Sequence, residues 1–208
     1  SNTQCSQEFS MNPPESNIRV EALSHPYMKG ALRVQNNFIG SGRKRLCCLI
    51  PLTFFPTTSS EFESLLNTED AMSLSAVAIR ESDNKVVGFV HMTDSSTNRD
   101  MVSRCLHTIR EGECYIELLN VLPEVRGQGI DTRLLNQCEG RARKRSAQIL
   151  TLGVVDKNPA KRLYERFGFV DSDRSMSHIV YIAVSLFCIF GFPHWGCGGT
   201  VMEKELQN

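Results

Sequence analysis

The stretch "ELLNVLPEVRGQGIDTRLL", residues 117–135, places an apolar, strand-like run directly before a proline, an arginine and two glycines, and then a helix-like pattern. Gly127 and Gly129 lie where the strand would turn into the helix, and glycine there permits a positive φ and a close approach of a ligand to the backbone. The start of the next helix would add N–H groups and a positive dipole end. The stretch therefore favours a phosphate-binding turn, with a merely glycine-softened turn as the alternative.

The composition sets limits on what the whole chain can be. Its 208 residues suit one domain with a full core, and 23 Lys plus Arg balance 23 Asp plus Glu, which argues against a nucleic-acid partner. Eight cysteines without a CxxC motif favour reduced thiols in an intracellular protein and argue against a zinc or other metal site. We expect a cytoplasmic protein. The chain begins at Ser1 without a signal-peptide pattern, so a targeting segment removed earlier stays open.

Apolar periodicity predicts the order β-α-α-β-β-β-α-β-α-β-β, a single α/β (α+β) domain whose mixed sheet is covered by helices. Ser60 and Glu63 form a capping-box pattern at the second helix, and residues 82–84 form the turn of a hairpin within 71–95. The polar residues 96–113 are expected to form an excursion with one short helix. The other predicted helices cover 24–38, 130–146 and 158–167, and the other strands cover 17–23, 114–121, 148–155 and 200–206.

Two common phosphate motifs do not fit the glycine loop. A dinucleotide-binding GxGxxG turn requires glycine where this chain has Thr132, and no GK[ST] sequence follows as a P-loop requires. A second cluster about 30 residues later, "NPAKRLYERFGF" at 158–169, places Tyr164 on a short helix after the next strand. The loop and this cluster have to be explained together.

Together the two clusters resemble the GNAT superfamily of N-acetyltransferases. The acetyl-CoA signature of that family, V-x-P followed by R/Q-x-x-G-x-G/A, is matched by Val121, Pro123, Arg126 and Gly129. The later family motif N-x-x-x-x-L-Y-x-x-x-G-F is matched by Asn158, Leu163, Tyr164, Gly168 and Phe169. The resemblance is good over about 71–170, thinner over 17–70 and poor over 171–199. It implies a mostly antiparallel mixed sheet flanked by helices.

The resemblance also implies a cofactor and the residues that hold it. Acetyl-CoA would be the cosubstrate, with its pyrophosphate on the loop amides and its pantetheine arm on strand backbone at a break in strand pairing. The pyrophosphate residues would be Arg126, Gly127, Gln128, Gly129, Ile130 and Asp131, the pantetheine residues Leu119, Asn120 and Val121, and Asn158 would complete the site. Asp131 departs from the usual Gly or Ala, and its carboxylate would repel the phosphates and compete for the same helix end. If the side chain turns to solvent, the affinity for the cofactor would fall by about 1 kcal/mol.

The chemistry of acetyl transfer singles out two side chains. An amine with a pKa near 10.4 is neutral in about one molecule in 2,500 at pH 7, so a base is useful, and burial of Glu117 would raise its pKa toward the working range. The alternative for Glu117 is a solvated strand end. Tyr164, matching the tyrosine of the family, would protonate the departing sulfur of coenzyme A. The alternative for Tyr164 is simple packing on the sheet.

Three other features have simpler explanations or stay open. His91 is expected to be structural, and the basic run 141–145 is expected to be a solvated helix end rather than an RNA-binding or nuclear-import signal. The apolar segment 179–192 is too short to span a bilayer. It is compatible with a buried extra strand, a homodimer or partner surface, or a membrane-interface contact.

The domain organisation predicted from these observations is a disordered tail at 1–16 and a GNAT-like domain at 17–208, with an apolar insertion at about 174–199. We expect direct acetyl transfer to an amine-bearing small molecule or peptide. The rivals are a coenzyme A-binding protein without turnover, suggested by Asp131, and an interaction protein that assembles through 179–192.

Overall fold

The computed structural model describes residues 17–41, 58–66, 68–97, 107–155, 158–173 and 199–206. The predicted tail at 1–16, residues 98–106 of the predicted excursion and the apolar segment 179–192 lie outside the described residues. Residues 107–112 of the excursion contain no helix. In the part of the chain that is described, we find no helix that combines the length and the apolar character needed to cross a membrane.

The described elements follow the predicted order with one addition. They are β1 (Ile18–Ala22), α1 (Met28–Ser41), α2 (Ser59–Leu65), α3 (Glu69–Ser73), β2 (Ser75–Arg80), β3 (Lys85–Asp94), β4 (Glu113–Val121), α4 (Ile130–Lys144), β5 (Ile149–Val155), α5 (Lys161–Phe167), β6 (Val170–Asp171) and β7 (Gly199–Glu205). The addition is α3, whose last three residues, 71–73, fall in the segment predicted as the hairpin. Thr68 caps it, because its side chain accepts a hydrogen bond from the backbone N–H of Ala71.

The seven strands that the described residues form make one mixed sheet in the order β1-β2-β3-β4-β5-β7-β6. Every neighbouring pair is antiparallel except β4 and β5, which run parallel. Parallel neighbours need a crossover, and α4 supplies it. The observed sheet, flanked by helices, confirms the predicted fold class.

Two glycines let helices pack close to strand β3. A Cβ at Gly30 in α1 would lie 2.6 Å from Cγ2 of Val86. A Cβ at Gly88 in β3 would lie 3.1 Å from Cδ1 of Leu134 and 3.2 Å from Cγ2 of Ile130, which are buried residues of α4. The first turn of α4 is therefore held against β3 by close packing.

The capping box predicted at Ser60 and Glu63 is wrong by two residues. In the structure Thr58 and Glu61 form it, because the amide of Glu61 donates to Thr58 Oγ1 at 3.2 Å and the amide of Thr58 donates to Glu61 Oε2 at 2.8 Å. Both pairs fit the same sequence pattern. The helix begins at Ser59, so Thr58 is the N-cap residue and Glu61 is the residue three positions later. The side chain of Phe62 in this helix is buried.

The basic run at the end of α4 is largely occupied by contacts within the chain. Arg141 donates to the backbone carbonyl of Ser75, and Arg145 forms ion pairs with Asp94, at 2.6 Å, and with Asp70. The helix ends at Lys144, two residues before the predicted end, since Ser146 has a φ of 57°. The arginines of the basic run therefore hold the end of α4 against α3 and the sheet.

Candidate active site

The central feature of the site is a divergence between the parallel strands β4 and β5. The two strands pair only from Glu113 to Ile116 and from Ile149 to Leu152. Beyond these residues, the rest of β4 pairs with β3 alone, and the rest of β5 pairs with β7 alone. Alternate backbone groups of a strand point to each side, so the facing edges of the two strands offer amide and carbonyl groups to a ligand in the opening.

A β-bulge marks the point where the strands separate. His91 of β3 faces Leu118 and Met92 faces Ile116, so Glu117 is the extra residue of β4. A bulge increases the local twist and bends its strand. This bend accompanies the opening toward β5, and Glu117, whose side chain is half-buried, is the first residue of β4 beyond the pairing with β5. The role of Glu117 as a base stays a prediction.

The part of β4 that diverges from β5 contains Leu119, Asn120 and Val121. These residues therefore lie at the break in strand pairing where they were expected. The side chain of Asn120 is buried and its Nδ2 donates to Oε1 of Gln35 in α1 at 2.6 Å. The backbone of Asn120 pairs with Phe89 of β3, so both its side chain and its backbone are engaged within the fold. The structure brings these three residues together at the divergence, and their contact with a pantetheine arm stays a prediction.

The glycine loop adopts the backbone conformation that its sequence predicts. A short 3-10 turn at Pro123–Val125 leads into Gly127 with a φ of 78° and Gly129 with a φ of 72°, both in the left-handed region. A Cβ at either glycine would meet no atom within 4 Å. The glycines are therefore required by the backbone and not by crowding, and the space beside them is open.

Helix α4 begins directly after Gly129 with the buried Ile130. Its first-turn N–H groups have no partner inside the helix and point toward the loop, and the helix dipole adds positive potential there. Arg126 holds the start of the loop against the end of β4, since its Nε donates to the backbone oxygen of Val121 at 3.2 Å. Gln128 lies between the two glycines. This geometry suits an anion such as a pyrophosphate.

Asp131 lies in the first turn of α4, half-buried rather than directed to solvent. Burial raises the pKa of this carboxyl, and the positive charge of Arg126 offsets part of the rise. The carboxyl group is therefore partly withdrawn from solvent at the start of the helix that follows the loop.

Tyr164 lies on α5 with its ring half-buried and edge-on to the ring of Phe169, with the centroids 6.1 Å apart. Burial raises the pKa of Tyr164 to about 12, and the charge of Asp131 contributes to the rise. The phenol is therefore protonated at neutral pH. It also lies within electrostatic reach of the first turn of α4, so α5 and the glycine loop belong to one region.

Asn158 has a local structural contact of its own. Its Oδ1 accepts a hydrogen bond from the backbone N–H of Ala160 at 3.0 Å, which shapes the turn before α5. The structure therefore places Asn158 at the entrance to the Tyr164 helix. Its predicted contact with the cofactor stays a prediction.

His91 is fully buried in the core. Its Nδ1 lies 2.8 Å from the hydroxyl of Ser75, which itself donates to the carbonyl of Ala71. These contacts tie β3 to β2 and α3. The expected structural role of His91 agrees with this position.

The structure contains a buried polar cluster near the start of β4 that was not predicted from the sequence. Glu113 Oε1 lies 2.6 Å from His107 Nε2 and accepts a hydrogen bond from Thr151 Oγ1 at 2.6 Å. The His107 ring stacks on Tyr115 at 4.4 Å, and the Tyr115 hydroxyl lies 3.1 Å from where a Cβ of residue 153 would stand. Because Gly153 is the first residue of β5 beyond the paired region, Tyr115 reaches the opening.

The charge of Glu113 is stabilised within this cluster. Burial alone would raise the pKa of its carboxyl, but hydrogen bonds from His107, Thr151 and the amide of Arg110 lower it to about 2. No local sequence motif signals the cluster, because Thr151 is 38 residues from Glu113 in the chain. Only the pairing of Tyr115 with Thr151 across β4 and β5 brings the group together.

In the part of the chain described here, we find no group of three or more His, Cys, Asp or Glu side chains able to hold a metal ion. Cys114 and Cys138 are buried free thiols, and burial raises the pKa of Cys114 to about 11 and that of Cys138 to about 12. Thiols with pKa values this high are almost entirely protonated at neutral pH, and the thiolate is the nucleophilic form.

Comparison with known proteins identifies the family. Residues 46–169 match the acetyltransferase (GNAT) family, which is more than half of the chain. The protein belongs to the GNAT family. This confirms the resemblance drawn from the glycine loop and the Tyr164 cluster.

Individual relatives agree with the GNAT assignment. An acetyltransferase of Agrobacterium fabrum is 37% identical over 93 residues, which are 45% of this chain and 56% of that protein. The chain thus spans little more than half the length of this curated relative.

Solved structures show the GNAT fold alone, since their sequence identities are low. An N-acetyltransferase from Staphylococcus aureus Mu50 superposes with a TM-score of 0.63 at 17% identity, covering 92% of this chain and all of that one. The PaiA N-acetyltransferase from Thermoplasma acidophilum, solved in complex with coenzyme A, gives a TM-score of 0.61 at 14% identity and covers 91% of this chain and 99% of its own.

Proposed function

We propose that this GNAT protein is an N-acetyltransferase that uses acetyl-CoA and passes the acetyl group directly to a primary amine, on a small molecule or a peptide. The observation that carries the proposal is that the β4–β5 divergence ends at the glycine loop, so that an exposed strand edge and an anion site are continuous. The complex of the Thermoplasma acidophilum protein with coenzyme A supports the choice of ligand.

The residues present fit an elongated ligand with an anionic end and an amide-bearing arm. The open space beside Gly127 and Gly129, together with the first amides of α4, suits the pyrophosphate. The β4 backbone at 119–121 suits the amides of the arm. Bound acetyl-CoA would supply the activated acetyl group, and the protein would orient it in the opening between β4 and β5.

Tyr164 would stabilise the departing sulfur through its phenolic hydroxyl. With a pKa of about 12 the phenol is a poorer acid than a thiol of pKa near 8.5, so complete proton transfer to the sulfur is uphill. The hydroxyl would therefore act chiefly as a hydrogen-bond donor to the negative charge that develops as the C–S bond breaks. Such donors act mainly in the transition state.

Glu117 would assist on the acceptor side. Its position in the bulge puts a carboxylate at the start of the opening, where an amine could reach the acetyl group. The carboxylate would accept the ammonium proton directly or through one water. No cysteine is needed, because direct transfer forms no acyl-enzyme.

Turnover is the experiment that tests this function. The protein is mixed with acetyl-CoA and a panel of primary amines that includes peptides with free N-termini, lysine-containing peptides, polyamines and aminoglycosides. We expect at least one class of amine to release coenzyme A thiol faster than hydrolysis does. The product should be an acetylated amine whose mass is greater by about 42 Da, the increment of one acetyl group. Binding of acetyl-CoA without acetylation of any amine would favour the coenzyme A-binding alternative and contradict the proposal.

A further inference from the structure

The side chain of Lys204 in β7 connects the two helices that carry the candidate site. Its Nζ donates to Glu139 Oε2 of α4 at 2.7 Å and to the backbone oxygen of Phe167, the last residue of α5, at 2.9 Å. The same nitrogen lies 4.2 Å from the centre of the Phe167 ring. The Lys204 and Glu139 side chains are 20% and 18% exposed, so the pair is shielded from most of the solvent.

Helix α5 needs an anchor of this kind. It has seven residues, none of them fully buried, and its N-cap residue Ala160 provides no side-chain hydrogen bond. A helix this short has little stability of its own. A cation that binds the last carbonyl groups satisfies them and complements the helix dipole. Lys204 supplies that cation at Phe167, directly before Gly168 ends the helix with a φ of 97°.

The position of Phe167 is linked to that of Tyr164 through packing. The two residues are three positions apart on α5, about one turn. Both rings pack on the buried Phe169, each at a centroid distance of 6.1 Å. A shift of the end of α5 would therefore move the Tyr164 ring as well.

We propose that Lys204 is a positioning residue that fixes Tyr164 relative to α4, and thereby relative to the glycine loop at the start of α4. The proposal rests on the proposed function for its catalytic consequence, since that function makes Tyr164 the donor to the departing sulfur. Glu139 lies nine residues after Ile130 on the same helix. The ion pair therefore fixes the position of α5 relative to α4, the helix that begins at the loop.

The test uses Lys204→Met, which keeps an unbranched stem against Phe167 and removes the ammonium. We expect kcat with the best amine of the panel to fall about tenfold, because a small displacement of a catalytic group is costly. The Kd of acetyl-CoA should stay within about twofold, since no loop amide is touched. Lys204→Arg should recover much of the loss. The matched control is Arg143→Gln, which removes the other partner of Glu139 at 2.7 Å and leaves α5 untouched.

A second variant separates positioning from general destabilisation. In a Tyr164→Phe background, Lys204→Met should lower kcat by less than about twofold further, because the group that it positions is gone. An equal tenfold loss in both backgrounds would overturn the proposal. So would a tenfold loss with Lys204→Met when Tyr164→Phe alone keeps full kcat, an outcome that would also remove the proposed role of Tyr164.

A spectroscopic measurement tests the positioning without turnover. The chain has four tyrosines, so labelling with 3-fluorotyrosine gives a simple ¹⁹F NMR spectrum in which Tyr164→Phe assigns one signal. We expect Lys204→Met to shift or broaden that signal, and Arg143→Gln to leave it in place. An unchanged Tyr164 signal in Lys204→Met would overturn the proposal. Because this readout needs no amine, it stands even if the proposed activity fails.

Discussion

At the scale of single residues, Tyr164 is the side chain on which the proposed chemistry depends most. Its phenol is protonated, half-buried and packed on Phe169. We expect Tyr164→Phe to lower kcat about 10²-fold, because one hydrogen bond to developing charge is lost. The Kd of acetyl-CoA and the melting temperature should hardly change, because the ring stays in place. A variant with full kcat would show that Tyr164 only packs.

Asp131 is the second residue whose charge can be tested. The carboxylate lies in the first turn of α4 beside the predicted pyrophosphate position, and burial raises its pKa. We expect Asp131→Asn to tighten acetyl-CoA binding about fivefold, which corresponds to about 1 kcal/mol. The gain should shrink as salt is added, and also as the pH is lowered through the raised pKa, since the parent then loses the same charge. Calorimetric titration measures both trends. Weaker binding by the variant would mean that the carboxylate serves the helix rather than repelling the ligand.

At the scale of elements, the contact between α4 and β3 holds the glycine loop in place. A Cβ at Gly88 would press on Ala78, Leu134 and Ile130 at 3.1–3.2 Å. We expect Gly88→Ala to cost about 1–2 kcal/mol of the free energy of unfolding, and to weaken acetyl-CoA binding by displacing the start of α4. Urea denaturation and titration report the two effects.

The control for this contact lies on the same helix. A Cβ at Gly140 would meet nothing within 4 Å, and the residue is exposed. Gly140→Ala should therefore stabilise the protein by about 0.5–1 kcal/mol, because alanine is the better helix former. If Gly88→Ala were as harmless as Gly140→Ala, the packing of α4 on β3 would not control the loop.

Local patterns in the sequence predict the elements whose geometry a few neighbouring residues determine. The glycines at 127 and 129 have the left-handed conformation that their spacing indicates, and the motif around Tyr164 places that residue on the expected short helix. Features that depend on the register between strands cannot be predicted from these local patterns. The bulge at Glu117 and the contact from Tyr115 to residue 153 exist only once β3, β4 and β5 are paired.

At the scale of the whole molecule, the buried Glu113 cluster joins β4, β5 and the segment before β4. Its carboxylate is held ionised by His107 and Thr151, with a pKa lowered from 4.5 to about 2. A lowered carboxyl pKa stabilises the folded state above the ordinary value, and that stability is lost as the pH falls from 4.5 through 2. We expect Glu113→Gln to cost about 3 kcal/mol at pH 7, and the difference from the parent to shrink over that acid range.

Denaturation in urea at a series of pH values measures this dependence. Glu111→Gln is the matched control, because Glu111 is exposed and only two residues away. Its effect on the free energy of unfolding should stay within about 0.5 kcal/mol. A constant difference between Glu113→Gln and the parent from pH 7 to 2 would mean that the charge of Glu113 does not stabilise the fold. The cytoplasmic location and the role of 179–192 stay predictions.

The melting temperature with and without acetyl-CoA shows whether this GNAT protein holds the ligand on the loop of Gly127 and Gly129. Acetyl-CoA at 100 times its Kd should add about 2.7 kcal/mol to the free energy of unfolding, a shift of roughly 5–10 °C for a chain of this size. Gly129→Val should show no such shift, because a β-branched residue resists a φ of 72° and fills the open space. Gly140→Ala should shift like the parent. No shift of the parent at millimolar acetyl-CoA, or a full shift in Gly129→Val, would contradict the account.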